Sequence, residues 1–238
     1  MGEREESLME HITTERVQIR IGDIALSGDL ALPKAASGLI LFAHGGCSLR
    51  HSVRNRGVAS MLNRLGLGTL LFDLLAPEEG IDIARRFDIA GLSERLKAAT
   101  TSVAHLARGH HLQLGYFGTS TGAAAAIRAA AESPLQMRID AVVSRGGRVD
   151  LAGHEALCQL RAPTLMLVGE ADPVVLKLNV LATAWIPCEK RIEVIPGATH
   201  LFDEPGALEQ VGKLAGEWFC RHFAAVPQHA PHGHAARQ

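Results

Sequence analysis

Little in this chain points to a membrane, a metal or a polyanion. No apolar stretch in its 238 residues approaches the roughly 20 needed to span a bilayer. Cysteines number four, Cys47, Cys158, Cys188 and Cys220, and none pairs with another at the CxxC spacing of a zinc site. Scattered in this way, they read as reduced thiols. Net charge is −1 at pH 7, which removes the basic signature of a nucleic-acid binder. Aromatic residues make up 4%, so a core must be built from the Ala, Leu, Val and Ile that dominate the 47% hydrophobic fraction. The opening stretch, MGEREESLMEHITTER, is charged and lacks the apolar centre of a secretory signal. These absences predict a cytoplasmic protein, a monomer or homodimer, with a small-molecule substrate and no membrane, nucleic-acid or metal partner.

What is present alternates in a regular way. RVQIRIGDIALSGDLALP, residues 16–33, switches between apolar and polar through a Gly-Asp turn, which predicts an antiparallel hairpin. Short apolar runs follow: LILFA, TLLFDLL, LQLGYF, DAVVS, TLMLVG and RIEVIPG. Each is too uniformly apolar for a half-exposed strand. Between them lie stretches with helical spacing, RNRGVASMLNRLG, SERLKAATTSVAHLA, GAAAAIRAAAE and GALEQVGKLAGEWFCRHF. Doubly buried strands alternating with helices predict an α/β fold with a mostly parallel sheet covered on both faces. The length suits one such domain over residues 16–226, flanked by a disordered N-terminal segment (1–15) and a Pro-, Ala- and His-rich tail (227–238). His229, His232 and His234 in that tail read as solvated residues, not metal ligands.

The stretch YFGTSTGAAAA, residues 116–126, isolates a serine between two glycines. In a parallel sheet, ligands bind beyond the carboxyl ends of the strands, and Ser120 falls there, between LQLGYF and the helix that follows. A nucleophile at that place needs a tight turn that lifts its hydroxyl clear. Gly118 and Gly122 remove side chains that would collide across the turn. Ala123–Ala126 allow the helix to lie close to the sheet, and its N-terminal dipole favours negative charge beside Ser120. A simple Gly/Ser/Thr turn capping a helix would use the same letters, so the partners decide. A serine needs a base, and the base an orienting acid. Asp172 follows TLMLVG and His200 lies in the Gly-containing loop after the last strand. Glu170 and Asp203 are rival acids; Glu170 lies nearer the strand, and Asp203 reads as a helix-start residue before Pro205, so Asp172 is the preferred acid. The N–H of Thr121 is one candidate oxyanion donor. Gly46 in HGGCSLRHS is the other, with Cys47 in reserve. Cys47 as nucleophile would lack the strand-turn-helix setting of Ser120.

Taken together, FAHGGCSLRHSVRNRGVA, LLFDLL, GYFGTSTGAAAA, VVSRGG, LVGEADPVV and PGATHLFDEPGAL resemble the α/β-hydrolase superfamily, in its dienelactone hydrolase-like branch. The resemblance runs from the hairpin near residue 16 to the last helix near residue 223. It implies an eight-stranded, mostly parallel sheet and hydrolysis through a covalent acyl-enzyme. One departure stands out: dienelactone hydrolases use cysteine as nucleophile, whereas position 120 is serine. The expectation is a serine hydrolase of small carboxylic esters that needs no cofactor. A lactonase, a thioesterase, or a binding protein without turnover are the alternatives. DAVVS and TLMLVG are separated by about one short helix, which leaves no room for a large cap and implies an open pocket. Arg50, Arg54, Arg56, Arg145 and Arg148 lie in loops near the rim, where they would recognise a substrate carboxylate or phosphate or else form ordinary ion pairs. Arg145 and His51, with Cys47, are the residues expected to reach substrate.

Overall fold

The first strand begins at Ile12, earlier than the Arg16 suggested by the sequence pattern, although its side chains alternate between exposed and covered only from Arg16 onward. In the computed structural model, which describes residues 12–21, 24–44 and 49–223, β1 (Ile12–Ile21) and β2 (Ile24–Pro33) pair antiparallel from Ile21↔Ile24 to Ile12↔Pro33. Residues 12–15 therefore belong to the sheet rather than to the N-terminal segment, because β2 is long enough to give each a backbone partner. The Gly-Asp turn and the tail 227–238 lie outside the described residues.

The remaining strands are β3 (Gly38–His44), β4 (Gly68–Phe72), β5 (Gln113–Thr119), β6 (Ala141–Arg145), β7 (Thr164–Gly169) and β8 (Lys190–Ile195). They form one eight-stranded sheet in the order β1-β2-β4-β3-β5-β6-β7-β8. The β2–β4 pair is antiparallel, and every pair from β4 to β8 is parallel. The helices are α1 (Val53–Arg64), α2 (Ile83–Phe87), α3 (Ile89–Gly109), α4 (Thr121–Ala131), α5 (His154–Gln159), α6 (Pro173–Thr183) and α7 (Ala207–His222).

Every residue of β4, β6 and β7 is buried, as continuous apolar runs require when helices cover both sheet faces. On one face Leu92 and Leu96 of α3 pack with Ala123–Ala126 of α4; on the other, Val58 and Leu62 of α1 pack with Val211, Ala215 and Phe219 of α7. Ala123–Ala126 of α4 are fully buried, so methyl-sized side chains bring that helix close to the strands. One strand departs from expectation. β8 is only partly covered, because it pairs only with β7 and leaves Lys190, Arg191 and Val194 exposed. Charges on an open edge discourage pairing with another chain.

α6 escapes periodicity analysis because PVVLKLNVLAT is apolar nearly all round, and its Val174, Val180 and Leu181 remain exposed. Between β6 and β7 lie only a 3-10 turn (Val149–Ala152) and α5, so no large cap is inserted there, and none is found among the described residues. Among the described residues, no helix is long and apolar enough to cross a membrane.

Candidate active site

β5 ends at Thr119 and α4 begins at Thr121, which leaves one residue to reverse the chain. Ser120 does so at φ 51° and ψ −125°, a conformation costly for any residue with a Cβ. Backbone hydrogen bonds hold it there. Its N–H donates to the Arg145 carbonyl at 3.3 Å, and its own carbonyl accepts from the N–H groups of Ala123 and Arg148, both at 3.1 Å. The two glycines have different tasks. A Cβ on Gly118 would lie 2.4 Å from Ala123 Cα, a collision across the turn as the sequence suggests. A Cβ on Gly122 would instead lie 2.3 Å from the Ala43 carbonyl oxygen, so this glycine serves the approach of α4 to β3.

Asp172 caps α6, accepting from the Val175 N–H at 3.4 Å. Its second oxygen, Oδ2, lies 2.6 Å from His200 Nδ1. The rival acids are engaged elsewhere. Glu170 accepts from the Gly197 N–H at 2.8 Å and so steadies the loop that carries His200. Asp203 does not start a helix: a turn closed by Ala207 N–H to the Glu204 carbonyl intervenes, and α7 begins after Gly206. The Asp203 carboxylate instead takes Arg54 Nη1 at 2.7 and 3.0 Å.

Ser120, His200, Arg145 and His51 line one cavity of about 570 Å³ together with the first turn of α1, Ser52–Asn55. Asp172 reaches this cavity through His200. Thr121 is the first residue of α4, so its N–H has no acceptor within the helix. Gly46 and Cys47 lie outside the described residues. Val53 and Leu201, 85% and 50% exposed, give the mouth an apolar rim.

The five rim arginines divide sharply. Arg50 and Arg56 lie 3.3 and 3.7 Å from Asp29 oxygens, Arg54 is held by Asp203, and Arg148 by Asp150 at 2.8 Å. Arg145 has no such partner among the described residues. Burial pushes its pKa down to about 10, with Arg54 acting in the same direction and Asp203 opposing.

Sequence reasoning did not find the Arg54–Asp203 pair, which joins residues from opposite ends of the chain and leaves no local signal. It also passed over Asn179. This buried side chain on α6 donates to the carbonyls of Gly147 and Val175, both at 2.8 Å, and ties the helix to the loop after β6. A lone amide among the apolar residues of α6 was the available clue.

No family model matches the chain. Among solved structures it is similar to dienelactone hydrolase from Anabaena variabilis, at 48% identity and a TM-score of 0.83, over 89% of this chain and 99% of that one. It is also similar to Est1E from Butyrivibrio proteoclasticus, at 17% identity and a TM-score of 0.70, over 88% of this chain and 99% of that one; this likeness is one of fold. The curated relatives are proteins from two strains of Mycobacterium tuberculosis, each named "Putative phosphoribosyl transferase", 51% identical over 209 residues and 88% of this chain. The chain spans 46% of the length of those relatives. By fold and strand order the chain belongs to the α/β-hydrolase superfamily. Within it, the chain is a member of the dienelactone hydrolase-like branch.

Proposed function

We propose that the chain is a serine hydrolase that cleaves small carboxylic esters. One observation carries the reading: the strained Ser120 shares a cavity with His200, whose Nδ1 is held 2.6 Å from Asp172. With Nδ1 committed to the carboxylate, Nε2 is the nitrogen left to take the serine proton. The Ser120 oxygen then attacks the ester carbonyl while His200 accepts its proton. The oxyanion forms against the N–H groups of Thr121 and Gly46. His200 returns the proton to the departing alcohol, leaving an acyl-serine. Water next attacks that ester with His200 again as base, and the acid and free Ser120 are regenerated. No step in this cycle calls for a cofactor.

The name of the Anabaena relative favours a second substrate, a lactone, which the same cycle opens as a cyclic ester. A thioester differs only in its leaving group. The transferase name of the mycobacterial relatives belongs to proteins of whose length this chain spans less than half.

Labelling with a fluorophosphonate, read by intact mass, tests the nucleophile. The expected result is a single adduct on the native protein that is lost in Ser120→Ala. A folded native protein that takes no adduct would overturn the reading in favour of a binding protein on this fold. If the adduct forms, relative rates on matched oxygen-ester, lactone and thioester substrates select among the three.

A further inference from the structure

Two neutral polar side chains on the wall of the Ser120 cavity are buried with an oxygen left unpaired among the described residues. Asn55 of α1 is 2% exposed, and its Oδ1 has no partner. Thr119, the last residue of β5, is equally covered, and its Oγ1 has none either. The position of Asn55 favours an apolar side chain. Asn55 lies in line with Val58, Ala59 and Leu62, at the i+3, i+4 and i+7 spacing of the buried stripe of α1. A leucine there would bury apolar area and leave no polar group to satisfy. The chain's other two asparagines are engaged within the protein. Asn63 donates to the Leu67 carbonyl at 2.9 Å, and Asn179 donates to two carbonyls at 2.8 Å. Other buried threonines find partners too: Thr100 meets the Tyr116 hydroxyl at 2.7 Å, and Thr164 donates to the Ala162 carbonyl at 2.9 Å. Asn55 and Thr119 are the exceptions, and both share the cavity of Ser120.

The missing partner is a neutral group that both donates and accepts. An amide turns either end outward by rotation about its last bond, and a threonine hydroxyl rotates to suit its neighbour. A ligand hydroxyl therefore satisfies each of them in any orientation, whereas a carbonyl or ether answers only a donor. The backbone that carries Asn55 is fixed, because the Ser52 hydroxyl caps α1 by accepting from the Asn55 N–H at 3.4 Å. Leaving a buried amide unpaired is destabilising, and a ligand that completes it on binding removes that penalty. Val53 and Leu201 at the mouth would hold the apolar part of the same ligand.

We infer that this cavity takes a hydroxylated ester, and that Asn55 is the specificity-determining residue that receives the hydroxyl, with Thr119 on the same wall. The inference rests on the reading of Ser120 as nucleophile, and its test is built to separate the two. Uncharged esters in matched pairs serve as probes. Nitrophenyl butyrate against nitrophenyl 3-hydroxybutyrate puts the hydroxyl on the acyl side. Ethyl butyrate against 2-hydroxyethyl butyrate puts it on the alcohol side. On the native protein, kcat/KM for at least one hydroxylated ester should exceed that of its parent by about tenfold, the effect of completing one buried hydrogen bond. The pair that shows the preference identifies the side of the ester that carries the hydroxyl. Asn55→Leu should bring that ratio close to one. Arg64→Gln, which removes an exposed charge on the outer end of α1, should leave it intact. Absence of the preference in the native protein would overturn the inference while leaving the hydrolase reading in place. So would its survival in Asn55→Leu, including a fall of both esters by one factor, the mark of a purely structural role. If Asn55→Leu does not fold, Asn55→Ala and the native ratio decide. If no ester is turned over, saturation-transfer NMR with ethyl 3-hydroxybutyrate and ethyl butyrate decides. A signal for the hydroxylated ester that weakens in Asn55→Leu sustains the subsite; equal or undetectable signals in both proteins overturn it.

Discussion

Asp172 serves two structures at once: one carboxylate oxygen caps α6 and the other faces His200 Nδ1 at 2.6 Å. The two roles are separable by substitution, because Asn caps a helix about as well as Asp but cannot hold the imidazole in the required tautomer. Asp172→Asn should keep the native melting temperature and lose about 10³–10⁴-fold in kcat for a neutral ester. Asp172→Ala should lose both activity and roughly 1 kcal/mol of stability with the cap. Calorimetry beside steady-state kinetics checks this, and an active Asp172→Asn would remove Asp172 from the mechanism. At this scale the sequence was legible in placement: Ser120 stands at the end of β5 and His200 in the loop after β8, where the strand pattern puts them. It was not legible for Asp203, whose role is set by Arg54, 149 positions away in sequence.

Among the elements, the connection from β4 to α3 depends on one ion pair. Arg95 of α3 grips Glu79 through Nη1 and Nη2 at 2.5 and 2.6 Å and also donates to the Leu74 carbonyl at 2.9 Å. Both side chains are mostly covered, at 14% and 20% exposure. The hydrogen bonds from Arg95 hold the Glu79 carboxyl at about 2, below its ordinary 4.5. A depressed carboxylate stabilises the fold above its unfolded pKa, and that contribution is lost as pH falls from about 4.5 towards 2. Glu79→Gln should therefore cost about 1–3 kcal/mol at pH 7, with the difference closing over that acid window. Denaturant melts of both proteins at several pH values test it; a gap that persists at the acid end would show that the pair acts through packing. The main strands and long helices were legible because continuous apolar runs and 3.6-residue spacing are local properties. α6 was not, since an element apolar on nearly every side has no period to read. β8 was misread in exposure because its edge position depends on which strand lies beside it.

Across the whole molecule, protection should follow sheet order rather than sequence order. β6 and β7 are fully buried and paired on both sides, whereas β1 and β8 each have one neighbour and exposed side chains. Hydrogen exchange should be slowest in β3, β5, β6 and β7 and fastest in β1 and β8. Mass spectrometry of peptic fragments measures this directly; β8 exchanging as slowly as β7 would mean that its open edge is covered in solution, as by a second copy of the chain. The sequence by itself determined the alternation of strands and helices, the doubly covered sheet and the serine between two glycines, because each follows from the hydrophobic period or the steric needs of a short segment. The sequence also preferred Asp172 as the acid and Arg145 among the rim arginines; tertiary structure alone decided the pairing of Arg54 with Asp203, that of Arg50 and Arg56 with Asp29, and the lack of a partner for Arg145 among the described residues. Those outcomes depend on distances between segments far apart in the chain, and no local pattern encodes them.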